Sequence, residues 1–361
     1  MLKQKLISSL IILAVAVIPL ACSTAHNGEY YSIWDGTASA PALIGGVYEI
    51  DTAAQFAWLC TDDAYTHLNE DYILNTNIDL GGRDWTPIGN VAPFSGTFNG
   101  GHHTIRGLSL PNDQTSVGLF AQILGFTTSV QNLKIQLANC TIDNNKVLRV
   151  GVLTGFASGA VEINNIAISG SSLIVKSSAS NILYVGSIAG QIIEGVELTG
   201  SYSNINVSGE STTSIVYAGG LVGYASGLGT EIKSCYTSGD VTAKATTTNT
   251  AYAGGIAGAS NSITNCAALN KSVEAIGASS TSSSFRIVGS TSGTLLNNHA
   301  NQNMTVKKNS SNVNTLDGAP SHGLNVNYNN MWTPEYLEST FGWIATDWKI
   351  TAGQFPTLSW E

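Results

Sequence analysis

A glycine followed four residues later by a second glycine, with an aliphatic residue midway, recurs at a fixed interval along this chain. Gly151-Val-Leu-Thr-Gly155, Gly186-Ser-Ile-Ala-Gly190, Gly219-Gly-Leu-Val-Gly223 and Gly254-Gly-Ile-Ala-Gly258 are the clear copies. Gly118-Leu-Phe-Ala-Gln122 and Gly289-Ser-Thr-Ser-Gly293 are degenerate copies on either side. The first glycines are 33, 35, 33, 35 and 35 residues apart. Such a period commits a chain to a stack of similar units, each too small to bury its own apolar face.

Two further columns keep the same beat. Val130, Ile163, Leu198, Ile232, Ile263 and Leu295 form one, and Val207, Val241, Val273 and Val306 the other. Each unit therefore reads as two or three short strands joined by Gly, Ser or Asn turns. Stacking sets Leu on Leu and Val on Val, and each buried aliphatic contributes roughly 1.5–3 kcal/mol. Residues 240–250 and 278–284 are β-branched and turn-forming, with no apolar run at helical spacing, which argues against a helical repeat. A β-propeller blade normally needs more residues and four strands. Only 11% of residues are charged, while glycine numbers 38, again a β and turn composition. The expected fold is all-β: a parallel β-helix of about 33–35-residue repeats, with a helix-containing N-terminal cap and an aromatic C-terminal cap.

The caps are expected from the tryptophans, none of which lies between residues 86 and 331. Asp51 to Cys60 reads as a capped amphipathic helix with Phe56 and Leu59 on one face. The expected organisation is a signal peptide at 1–21, a linker and cap start at 22–46, cap and first coils at 47–117, repeats at 118–310 and a C-terminal cap at 311–361. The start is basic, then Leu6 to Leu20 is a short apolar run, as in a secretory signal. The Ala21-Cys22 pair resembles a bacterial lipobox, so Cys22 is the expected lipidation site, although Pro19 stands where the pattern usually has Leu. Ordinary cleavage near Ala21 is the alternative. A lipid would tether the chain without a spanning helix.

Residues 23–117 carry 11 acids and two bases, residues 118–300 eight of each, and residues 301–361 five acids and three bases. With no basic patch, nucleic acid is not an expected partner.

Gly219-Gly-Leu-Val-Gly-Tyr-Ala-Ser with Ile232-Lys-Ser-Cys-Tyr-Thr-Ser-Gly-Asp-Val241 resembles the GLUG repeat of bacterial surface proteins. Gly254 to Gly258 with Ile263-Thr-Asn-Cys266 is a second match. Trp85-Thr-Pro-Ile-Gly89 and Phe94 to Leu108 resemble the segment that precedes such repeats, and the Trp348 to Trp360 ending, with Gly353 to Leu358, the family's last strand. The resemblance implies a right-handed β-helix and an adhesin-like role at the surface of Bacteroidetes-type cells.

Tyr184, Tyr217 and Tyr252 each precede a first-column glycine by two residues. Exposed, they would form a binding platform for sugar rings. Strand parity with Leu221 and Ile256 instead points inward, unless a glycine bulge reverses it. Asn132, Asn165, Asn265 and Asn297 follow the second column by two and read as an amide ladder. Cys235 and Cys266 occupy equivalent slots and read as packed free thiols. His102-His103 reads as a structural turn, since neighbours on a strand face opposite ways. Asp62-Asp63 and Glu70-Asp71 lack the spacing of a calcium loop. No catalytic residue, metal site or cofactor is expected. The expected role is non-enzymatic binding of a glycan or a host or surface protein. Polysaccharide cleavage on the same rod and a purely structural spacer are the competing readings.

Overall fold

A computed structural model describes residues 23–26, 29–138, 140–246, 249–315, 317–327, 332–351 and 354–361. The signal segment and Cys22 lie outside the described residues. Strands dominate and stack as a parallel β-solenoid of about six turns with a spacing near 33 residues.

Register follows the sequence columns. Val130, Ile163, Leu198, Ile232, Ile263 and Leu295 pair strand to strand in one parallel ladder. The first five are fully buried. Val207, Val241, Val273 and Val306 pair likewise on a second sheet, which starts at Cys140–Asn144 and Ser172–Ser177. A third sheet carries Ser116–Val117, Arg149–Val150, Leu183–Gly186, Val216–Gly219, Ala251–Gly254 and Ser283–Phe285. Three faces thus enclose one continuous apolar core.

The glycine pairs serve closeness rather than unusual dihedrals. A Cβ at Gly219 would stand 2.0 Å from the carbonyl oxygen of Val222, and one at Gly223 would stand 2.5 Å from the carbonyl oxygen of Gly190. The chain bends sharply here from one face to the next, and neighbouring rungs press on the corner. Any larger residue would push the rungs apart.

The Asn column has a dihedral cause. Asn132, Asn165, Ser234, Asn265 and Asn297 all have φ between 50° and 56°, and Gly200 in the same slot has φ 58°. This is the left-handed region, which Asn and Gly tolerate best. The side chains also form the expected ladder, in two pieces. Asn165 Nδ2 donates to Asn132 Oδ1 at 3.1 Å, Asn132 Nδ2 donates to Asn99 Oδ1 at 3.2 Å, and Asn297 Nδ2 donates to Asn265 Oδ1 at 2.9 Å. The pieces are separated by Gly200 and Ser234, which have no amide.

At the N-terminal end a helix spans Ala53–Trp58, opened by a Thr52–Gln55 capping box. Phe56 and Leu59 are fully buried, and Phe56 stacks on Trp85 at 5.1 Å. Strands Val47–Ile50, Asp71–Leu74 and Thr97–Leu108 extend the parallel stack beneath it.

The expected aromatic cluster is present near the C-terminus, and it runs back along the side of the rod. Phe341 meets His299 edge-on at 5.0 Å, and Trp343 Nε1 donates to the Asn265 carbonyl at 2.7 Å. Trp348 packs against Tyr236 and Tyr202, and the Tyr236 hydroxyl donates to the Pro356 carbonyl. Glu361 accepts from the Tyr202 hydroxyl at 2.9 Å and pairs with Lys134 at 2.6 Å. Trp360 stacks on His102 at 5.0 Å. As the chain advances from 341 to 361, its partners fall from 299 to 102. This strap binds the rungs together from outside, because a row of aromatics buries more area along a groove than on a single end rung.

Candidate binding face

On the third sheet the core takes Leu183, Val185, Val216, Ala218, Ala251 and Ala253. The residue between each pair must point out, so Tyr184, Tyr217 and Tyr252 stand on the outer surface, half-buried. The inward reading by parity with Leu221 and Ile256 fails because the bend at each glycine pair resets the alternation between faces.

The three rings are in register. Tyr184 and Tyr217 stack with centroids 5.6 Å apart, and Tyr217 and Tyr252 at 4.7 Å. Arg149 precedes Tyr184 in this column and Ser283 follows Tyr252. A second outward column lies across the bend: Gln122, Phe156, Gln191, Tyr224, Ala259 and Ser290. The columns lock together. Arg149 lies over the Phe156 ring at 4.9 Å, and its Nε donates to Gln191 Oε1 at 2.6 Å. Tyr224 crosses the edges of Tyr184 and Tyr217 at 5.3 and 5.4 Å.

Stacking decides what this face can offer. Rings piled face to face use up their own faces and present edges and hydroxyls. Burial pushes the Tyr217 hydroxyl up to about 12, with help from neighbouring Tyr252, and it raises Tyr184 in the same way. Tyr184 and Tyr217 therefore keep their protons at neutral pH. Among the described residues no protein group bonds the Tyr184, Tyr217, Tyr224 or Tyr252 hydroxyls.

A second arrangement escaped the sequence reading. Glu162, Glu197 and Glu231 occupy one ladder in adjacent rungs. Each directly precedes a second-column aliphatic, so the signal was present as a fourth column. Glu162 and Glu197 line an open cleft of about 380 Å³ with Phe126, which is 87% exposed. Like charges in register are destabilising, so stability does not explain the ladder.

The remaining candidates are structural. Cys235 and Cys266 are free, buried thiols; burial and the neighbouring Cys235 raise Cys266. Cys60 and Cys140 are also free. His102 has φ 66° and receives the strap through Trp360. His103 is lowered by burial, then by His102. Asp63, Glu70 and Asp71 join no group of three or more His, Cys, Asp or Glu able to hold a metal among the described residues.

The fold and these faces define a parallel β-solenoid with one aromatic strip covered by its own chain and one left open. Among known proteins, a crystal structure of a candidate immunoglobulin A1 protease from Bacteroides ovatus superposes with a TM-score of 0.67 and 22% identity, covering 87% of this chain and 92% of that one. That likeness establishes the fold. Halomucin of Haloquadratum walsbyi is 29% identical over 222 residues, and a candidate Gly-rich membrane protein of Evansella cellulosilytica is 30% identical over 130. The matches cover 52% and 36% of this chain but only 2% and 14% of those much longer proteins. No family model matches the chain. Among the described residues no helix is long and apolar enough to cross a membrane.

Proposed function

We propose that this chain is an exported surface lipoprotein of the GLUG-repeat kind, anchored through Cys22, that binds a glycan or a host or neighbouring surface protein without cleaving it. One observation carries the reading: the open strip of Tyr184, Tyr217 and Tyr252, with hydroxyls that no protein group occupies among the described residues, on a rod otherwise poor in charge. Tyrosine supplies amphipathic contact area with little entropy to lose, which suits recognition. A surface location fits the relative described as a membrane protein. The immunoglobulin A1 named for the B. ovatus structure is a candidate on the host-protein side.

A glycan array and a pull-down with immunoglobulin A1, each run beside a polysaccharide-degradation screen, test the proposal. Binding that falls in a Tyr184→Ala/Tyr252→Ala variant supports it, and silence in all assays favours the spacer reading.

The second reading is polysaccharide cleavage at Glu162 and Glu197. Their strands are neighbours, about 4.8 Å apart, close to the roughly 5–5.5 Å between carboxyls in retaining glycosidases. Both side chains are solvent-exposed, however, and an acid catalyst needs surroundings that keep it protonated. Depolymerisation by the wild type that disappears in Glu162→Gln would establish this reading in place of the first.

A further inference from the structure

A column of stacked side chains exposes an aromatic face only where the column steps from large to small. The second outward column makes that step once in mid-rod. Phe156, Gln191 and Tyr224 are large, and then Ala259 and Ser290 follow in register. Tyr224 is held from behind, edge to face with Tyr217 at 5.4 Å and 74°. No ring in the next rung of its own column covers it, because Ala259 is there. The result is a notch of about 170 Å³ walled by Tyr217 and Tyr224 and floored by Ala225 and Ala259. Its rim is polar: Asn261, Ser290, Thr291 and Ser292.

We infer that this notch is a subsite for one pyranose ring of a neutral saccharide. The inference rests on the binding reading above and gives it a ligand class and a place. The chemistry matches on three counts. A sugar ring has an apolar face of C–H groups that packs against an aromatic ring. Its hydroxyls need donors and acceptors around the edge, and the rim supplies hydroxyl and amide groups, with Ser292 Oγ donating to Asn261 Oδ1 at 3.1 Å to fix that side chain. No Lys, Arg, Asp or Glu lines the notch, so a phosphate, sulfate or carboxylate group would gain nothing there. A space of this size admits one ring part-way and leaves the rest of an oligosaccharide lying along the rod.

The rod's own pattern supplies the test. Ala259→Tyr continues the column of Phe156, Gln191 and Tyr224 by one rung, so it fills the notch with a large side chain of the kind the three preceding rungs accommodate. Saturation-transfer NMR on the full chain, with cellohexaose, mannohexaose and β-1,4-galactohexaose as probes, reads binding. Circular dichroism and melting temperature confirm that each variant is folded. At least one probe should bind, and Ala259→Tyr and Tyr224→Ala should each weaken it about tenfold or more, the worth of one lost stacking contact. Ser283→Tyr, which extends the other column, should change it less than about twofold. Equal binding by Ala259→Tyr and wild type would overturn the notch; if Tyr184→Ala still reduced binding, the tyrosine strip would remain the binding face. No saturation transfer from any probe to the wild type would also overturn the notch, while immunoglobulin A1 capture in the pull-down would leave the broader proposal standing.

Discussion

The rod carries two tyrosine columns, and only one is covered. Tyr202 and Tyr236 stack at 5.0 Å with rings 2° from parallel, and the strap seals them with Trp343, Trp348 and Phe355. Tyr217 and Tyr252 stack at 4.7 Å and 14°, with Tyr224 against the Tyr217 edge and, among the described residues, no strap aromatic upon them. The rings, register and spacing are nearly the same. The covered pair has both hydroxyls bonded to the strap, to Glu361 and to the Pro356 carbonyl. The open column has none bonded among the described residues. Identical local chemistry thus serves cohesion in one place and is left available in the other, and the difference lies in whether the chain supplies its own partner.

Removing that partner should have the largest effect. Trp348→Ala takes a buried ring off both covered tyrosines and should cost about 3–5 kcal/mol by urea denaturation, whereas Tyr252→Ala on the open column should cost clearly less. An equal cost would mean the open column is structural too. Hydroxyl deletion is subtler. Tyr236→Phe leaves a buried carbonyl unsatisfied and should cost about 1–3 kcal/mol, while Tyr217→Phe should stay within about 0.5 kcal/mol.

Alkali should separate the columns by ionisation. Burial raises Tyr202, Tyr217 and Tyr236 above their ordinary value of 10.0. A raised folded value means stability is full below pH 10 and drains away as pH climbs through the folded value. For Tyr217 that window runs from 10 to about 12. Tyr236 is pushed well beyond ordinary range and should ionise only as the strap opens. Tyrosinate absorbance should therefore rise in two phases, the later one coincident with loss of near-UV circular dichroism; a single phase would erase the distinction.

The smallest effect is expected in acid. His299, under Phe341, is lowered from 6.5 by burial. A base with a lowered folded value gives stability that is present above 6.5 and lost as pH falls through the folded value. Hydrogen exchange at the Trp343 indole, close by, should speed up on acidification while exchange around Val185 stays slow.

Much of this molecule could be read from one period, because a parallel in-register stack puts equivalent residues on top of one another. The Val207–Val241–Val273–Val306 column is a ladder in sequence and in space. The N-terminal helix within Asp51 to Cys60 was legible for an equally local reason, and the structure shows its cap to be the Thr52–Gln55 box. The outward turn of Tyr184 was one of two readings the sequence left open, because parity does not carry across the bend at the glycine pair. The strap had no period to betray it: Lys134 and Glu361 are 227 residues apart, and their pairing is set by how many rungs intervene. The Glu162–Glu197–Glu231 column was equally periodic, but it lies at the surface, where hydrophobic pattern gives no weight.

The strap has a thermodynamic consequence for the whole rod. A stack in which each rung touches only its neighbours behaves as a one-dimensional chain, free to fray from either end and to populate partly melted forms. A segment that touches the rungs of His102, Lys134, Tyr202, Tyr236, Asn265 and His299 adds a term that all of them share. Losing any one rung then weakens the hold on the others. The molecule should melt as a single cooperative unit, and an intermediate length of intact rod should be scarce at every temperature.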